Sequence, residues 1–222
     1  MTAALLALPS IDDQAERLID LGVHRLGGLS ADELRSTAAT SGARDGLLVI
    51  HPERVPASAL VPFLRHRGKP GFVVEDMPDI DQFSPIEGAP VPDAPVYVLE
   101  GLDRGDHMAN WSPDEALPAI IGEHRTPLLL AEGVHWVIQQ PATLERGRCF
   151  MTVGSRLRKA DGRLDARTPA LWISNGTGRD GRDRRDAPKA GWCWAGNRHT
   201  WLGFASAAAR TAIRPAVHRP AP

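Results

Sequence analysis

The chain of 222 residues holds only two cysteines, Cys149 and Cys193. Small secreted domains that rely on cross-links carry several pairs, so a disulfide scaffold is excluded and reduced thiols are expected. No apolar run approaches the roughly 18 residues that a membrane-spanning helix needs, so no membrane partner is expected. The first residues, MTAALLALPSIDD, lack the basic region and the apolar length of a signal peptide. They read as a flexible lead-in over residues 1–10, and the protein is expected to be cytoplasmic. Lysine is scarce too: 23 arginines stand against 3 lysines.

Familiar catalytic and nucleotide-binding signatures are also missing. There is no G-x-x-x-x-G-K-[S/T], no G-x-S-x-G, no H-E-x-x-H and no EF-hand loop. Gly176-Thr177-Gly178 and Gly181 imitate a phosphate loop, but no helix is expected to follow them, and interleaved aspartates blunt any anion attraction. No cofactor is expected.

What is present is ordinary globular material, with 42% apolar and 24% charged residues, enough to build one core. The net charge of −1 conceals an asymmetry. Residues 1–145 hold 10 basic and 22 acidic side chains, whereas residues 146–222 hold 16 and 5. Either the two parts neutralise each other by packing, or the basic third docks an acidic protein partner. Nucleic acid is not the expected partner, because the total is not basic.

Local patterns place the elements. Ile11, Ala15, Leu18 and Leu21 repeat at helical spacing. Ser30 and Glu33 form a capping box ahead of a short helix. Ser112-Pro113-Asp114-Glu115 combines a cap, a first-turn proline and a reciprocating glutamate. A helix is expected near 131–140. Runs at 46–50, 71–74, 96–99, 149–153, 170–174 and 191–195 read as strands. The loop 175–188, NGTGRDGRDRRDAP, has no large apolar residue and is expected to be mobile. The resulting expectation is a single α+β domain over 11–209, with a mixed sheet, helices mainly in the first two thirds and a strand-rich C-terminal third. Residues 210–222 are expected to form a disordered tail.

The densest functional segment is Gly191–Gly203, GWCWAGNRHTWLG. In a strand, Trp192 and Trp194 share one face and Cys193 takes the other. Gly196-Asn197 is a turn-forming pair. A hairpin returning through His199 and Trp201 would bring Cys193 near His199. Three readings stay open: a thiolate–imidazole pair oriented by Asn197, a ligand wall made of tryptophans, and a sealed aromatic core. Cys-Trp-Ala is similar to the nucleophile segments of papain-like and transglutaminase-like enzymes. This chain departs from them, because only His199 and His218 follow Cys193 and no glutamine lies just upstream.

Asp103 and Asp106 follow the strand at 96–99 and form the second candidate cluster. Metal readings find little support. Glu132-x-x-His135 has the helical spacing of a di-metal site but occurs once, and His51-Pro52-Glu53 lacks a β-rich setting. No metal site is expected. The candidate catalytic residues are Cys193, His199 and Asp106. The candidate ligand-binding residues are Trp192, Trp194, Asn197, Trp201 and Asp103.

Taken together, the Leu102 run LDRGD, the Ser112–Pro118 segment, Ala170–Ser174 (ALWIS) and the terminal GWCWAGNRHTWLG resemble domain-of-unknown-function family 5701, a set of actinobacterial proteins. The likeness runs from about residue 14 to 206. It implies a cytosolic, single-domain bacterial protein and no particular activity. The charged loop 175–186 departs from it by being longer. The leading functional expectation is a small-molecule-binding protein or accessory enzyme of bacterial metabolism, secondary metabolism included. The alternative is a non-catalytic module whose basic third docks an acidic partner.

Overall fold

Ser10 starts the first helix, α1 (Ile11–Asp20), by accepting a hydrogen bond from the Asp13 N–H at 3.1 Å. The computed structural model describes residues 7–43 and 45–213. Ile11, Ala15 and Leu18 face the core, as their spacing predicts. Order begins ahead of residue 11: Leu8 packs on the core, and Gln14 Nε2 donates to the Pro9 carbonyl at 2.8 Å. Residues 1–6 of the expected lead-in lie outside the described residues. The capping box at Ser30 forms at the head of α2 (Ala31–Ala39), with reciprocal bonds of 2.7 and 3.1 Å to Glu33.

The strands that matter for the site are β1 (Leu47–Ile50), β2 (Phe72–Val73), β3 (Val96–Glu100), β4 (Cys149–Met151), β5 (Arg167–Ile173), β6 (Pro188–Trp194), β7 (Leu202–Phe204) and β8 (Ala209–Ala212). They make two main sheets. One is antiparallel and three-stranded, in the order β1-β3-β8. The other is mixed and five-stranded, in the order β7-β4-β5-β6-β2. In it β5 runs antiparallel to both neighbours, while β7 and β2 lie parallel to β4 and β6. This is the α+β architecture with a mixed sheet that the sequence predicts.

β8 corrects the expected boundary at 209. Residues 210–212 of the expected tail continue the strand that begins at Ala209, with Arg210 opposite Leu99. The physical reason is the Arg210 side chain, which runs inward to a buried carboxylate. Residues 214–222 of the expected tail lie outside the described residues.

Helix α4 (Leu130–Gln139) is buried on every side. It packs between β1 and β5, one strand from each sheet. Gly133 permits that approach: a Cβ there would stand 2.7 Å from Thr152 Cγ2. Of the polar side chains that α4 buries, Glu132 and His135 are partnered within the fold, whereas Gln139 donates to the Gln14 carbonyl at 3.1 Å and leaves its Oε1 without a partner among the described residues. Glu132 accepts from Tyr97 Oη (2.8 Å), the Leu129 N–H (2.6 Å), Arg210 Nε (2.6 Å) and Arg210 Nη2 (2.8 Å). His135 Nδ1 donates to the Ala131 carbonyl at 2.8 Å, and its Nε2 accepts from the Ile50 N–H at 3.4 Å.

The five-stranded sheet separates two cores by simple alternation. Phe150, Leu171 and Ala190 face the main core, where Phe150 meets Trp136 of α4 with ring centroids 5.6 Å apart. Cys149, Met151, Ala170, Leu202 and Phe204 face the other way. Helix α3 (Pro113–Gly122), started by the predicted Ser112 capping box, covers part of that second face with Ala116 and Ile120. The remainder of the face stays open.

Charge asymmetry is compensated internally. Arg167 forks onto Asp79 at 2.9 and 2.7 Å. Arg179 pairs with Asp76 at 3.1 Å and Arg184 with Glu75 at 3.6 Å. Arg198 meets Glu115, and Arg210 meets Glu132. Each pair joins the basic third to the acidic part. The loop 175–188 is pinned by the same means, contrary to the expectation of a free loop. Asp180 accepts from Lys189 Nζ at 2.5 Å and from Ser174 Oγ at 2.6 Å. Arg184 lies 4.6 Å over the Phe72 ring. A loop without apolar residues is held here by ion pairs.

Candidate functional site

Strand β6 realises the predicted alternation. Trp192 and Trp194 meet edge to face with centroids 4.5 Å apart, and Cys193 sits on the opposite side, registered against Thr168 of β5. The turn at Gly196-Asn197 also forms, with the Asn197 N–H donating to the Trp194 carbonyl at 3.0 Å. The expected hairpin does not form. β5 and β2 hold the two edges of β6, so the chain crosses the sheet end and β7 pairs with β4 instead. The crossing segment is fastened on its way. The Asp114 N–H donates to the Ala195 carbonyl (3.0 Å), the Asn110 N–H to the His199 carbonyl (2.9 Å) and the Cys149 N–H to the Trp201 carbonyl (3.0 Å).

Beneath this strap lies a cleft of about 450 Å³. Cys149, Ala170, Cys193 and Leu202, from four adjacent strands, line it. Trp172 forms a wall. Its indole lies across Gly191, where a Cβ would stand 2.6 Å from Trp172 Cη2, and Lys189 Nζ sits 4.5 Å from the ring centre. His199 and Trp201 stack on each other at 4.7 Å and 20° to form another wall. Trp192, Arg148 and Asn175 also line the cleft.

The sequence model of a family of unknown function, DUF5701, matches residues 17–213. The chain belongs to that family. No curated protein and no solved structure matches it. In this DUF5701 domain the matched span contains both main sheets and every residue of the cleft.

Of the residues singled out in the sequence, Trp192, Cys193, His199 and Trp201 come together in the cleft. Asn197 reaches Cys193 with its side-chain amide, which favours the thiolate. Trp194 lies outside, half exposed, against Trp192. Asp106 pairs with buried Arg104 and stands 3.9 Å from Arg148, so it reaches the rim through those arginines. Asp103 turns the chain instead: its Oδ1 accepts from the Gly105 N–H at 2.8 Å, and its backbone bridges to Ser206.

Both thiols are free. Burial pushes the Cys149 thiol up to about 12. Burial also raises Cys193, against the opposing pull of the Trp194 backbone and the Asn197 amide. A nucleophilic cysteine needs the reverse, a depressed pKa beside a cation or base. Among the described residues no hydrogen bond joins Cys193 to His199, whose ring is engaged by Trp201. Glu132 and His135 are consumed by the internal network above. His51 Nδ1 accepts from the Glu53 N–H at 3.2 Å, a local turn contact. Among the described residues no group of three or more His, Cys, Asp or Glu side chains could hold a metal.

Arg148, Cys149, Trp172 and Asn175 were not among the predicted site residues. The signal for two of them was present. The runs CFMTV and ALWIS both read as strands, and alternation in each puts Cys149 and Trp172 on one face. Nothing local showed that the two strands neighbour each other.

Proposed function

We propose that this cleft binds a small, flat organic molecule, making the chain a small-molecule-binding protein or accessory enzyme of bacterial metabolism. One observation carries the reading. Three segments far apart in sequence, around 147–149, 170–175 and 192–202, converge tryptophans, a histidine and two thiols on one cleft of about 450 Å³. That size lies within the range of about 300–1,000 Å³ of small-molecule sites, which are lined mostly by apolar and aromatic groups with a few polar ones. Trp201 is 51% exposed despite its stack on His199, and an exposed indole is a surface for a further ring. Raised thiols favour non-covalent binding over attack by Cys193. The internally paired arginines argue against a basic third kept free for an acidic partner.

The test is titration calorimetry with one- and two-ring aromatic compounds on the wild type and on Trp201→Ala. Trp201 is exposed, so the variant should melt with the parent. Loss of one stacking face should weaken binding about tenfold. A folded Trp201→Ala that binds as tightly as the wild type overturns the assignment of this cleft.

A further inference from the structure

We infer that the cleft selects planar aromatic acids, with Arg148 as the residue that recognises the anionic group. This rests on the ligand-binding reading above and specifies its chemistry. Among the described residues no aspartate or glutamate lines the cleft, and Arg148 is its one permanently charged residue. Arg148 is also underused. Its contacts to Asp106 and Glu145 are both 3.9 Å long, and its side chain is 46% exposed. Asp106 is already engaged by Arg104. Among the described residues the Arg148 guanidinium donates no hydrogen bond, which leaves five N–H groups at the cleft.

The other polar groups point the same way. Asn175 Oδ1 is taken by Arg146 Nη1 at 3.2 Å, so its amide N–H₂ is the end left to offer. The Trp201 carbonyl already accepts from the Cys149 N–H at 3.0 Å and from Cys149 Sγ at 3.8 Å. Arg148 and Asn175 therefore present donors to the cleft, while the Asn175 and Trp201 oxygens are occupied. Tryptophan faces attract cations as well. A cationic ligand would meet Arg148 with no carboxylate among the described lining residues, Asp106 and Glu145 being 3.9 Å from the guanidinium but outside the lining. A carboxylate or phosphate would instead receive two parallel N–H bonds from the guanidinium fork, the strong form of such contacts.

Three ligands sharing one ring system separate the terms: 2-naphthoate, 2-naphthamide and 2-naphthylmethylamine, titrated by calorimetry into wild type and Arg148→Gln. The acid should bind the wild type about tenfold or more tighter than the amide, with the amine weakest. Arg148→Gln should erase the advantage of the acid and leave amide affinity unchanged. Added salt should weaken the acid alone. Equal binding of all three, or an equal loss of all three in Arg148→Gln, overturns the anion assignment while keeping the cleft as a site. Binding of none of the three overturns the ligand-binding reading, and the anion assignment with it.

Discussion

Arg210→Met removes one side of a buried ion pair and leaves the other in place. Arg210 and Glu132 side chains are 4% and 0% exposed. The arginine donates to both carboxylate oxygens, at 2.6 and 2.8 Å. In the variant Glu132 keeps two donors, Tyr97 Oη and the Leu129 N–H. It loses the only positive charge that pairs with it among the described residues. The Pro127 carbonyl, which accepts from Arg210 Nη2 at 2.8 Å, loses a donor as well. Breaking a buried pair from one side costs about 3–5 kcal/mol. At about 2–4 °C per kcal/mol for a domain of this size, the melting temperature should fall by about 6–20 °C. Urea unfolding followed by tryptophan fluorescence gives the same quantity at constant temperature. Adding Glu132→Gln to Arg210→Met should cost less than the two single changes summed, because the stranded charge is gone. An Arg210→Met protein within about 0.5 kcal/mol of the wild type would refute the reasoning, since only a solvated pair is that dispensable.

Two more expectations follow from the buried groups. His135 is pushed down to about 4 by burial, below its ordinary value of about 6.5. As pH falls the unfolded chain takes up the proton first, so stability should be full above about pH 6.5 and decline towards pH 4, by about 3 kcal/mol in all. His135→Gln should flatten that part of a urea-midpoint titration, and an unchanged slope would count against a neutral buried imidazole. Cys193, raised by burial, should alkylate with iodoacetamide more slowly than glutathione at neutral pH, and Asn197→Ala should slow it further. Peptide mapping by mass spectrometry reads both rates, and a Cys193 faster than glutathione would revive the nucleophile.

Local chemistry made much of the fold legible. Both serine capping boxes formed because each needs only residues three apart. The runs at 46–50, 96–99 and 191–195 fall on β1, β3 and β6 because alternation or continuous apolarity announces them, although β6 begins three residues earlier, at Pro188. Pairing between distant segments was not legible. The Gly196-Asn197 turn is real, yet a turn does not name the partner of the strand that follows it. β7 is three residues long, too short to carry a preference of its own, and Gly203 suits it to the crowded edge beside Arg104 and Asp106. The cleft was located by its tryptophans and missed at its polar rim. Arg148 resembles any other arginine in a basic segment, and its place on the cleft shows only once the strands are assembled. The charge asymmetry was visible at once, but its resolution required seeing which arginine meets which acid.

The placement of β8 has a consequence for how the protein is made. Glu132 and Arg210 are separated by 78 positions in the chain. A ribosome adding about 5–20 residues per second needs about 4–16 s to travel from one to the other. During that interval the nascent chain holds α4 with its carboxylate unpaired and the edge of β3 that β8 will occupy bare. The helix at the centre of the molecule can therefore settle only after a strand made 78 residues later has reached it.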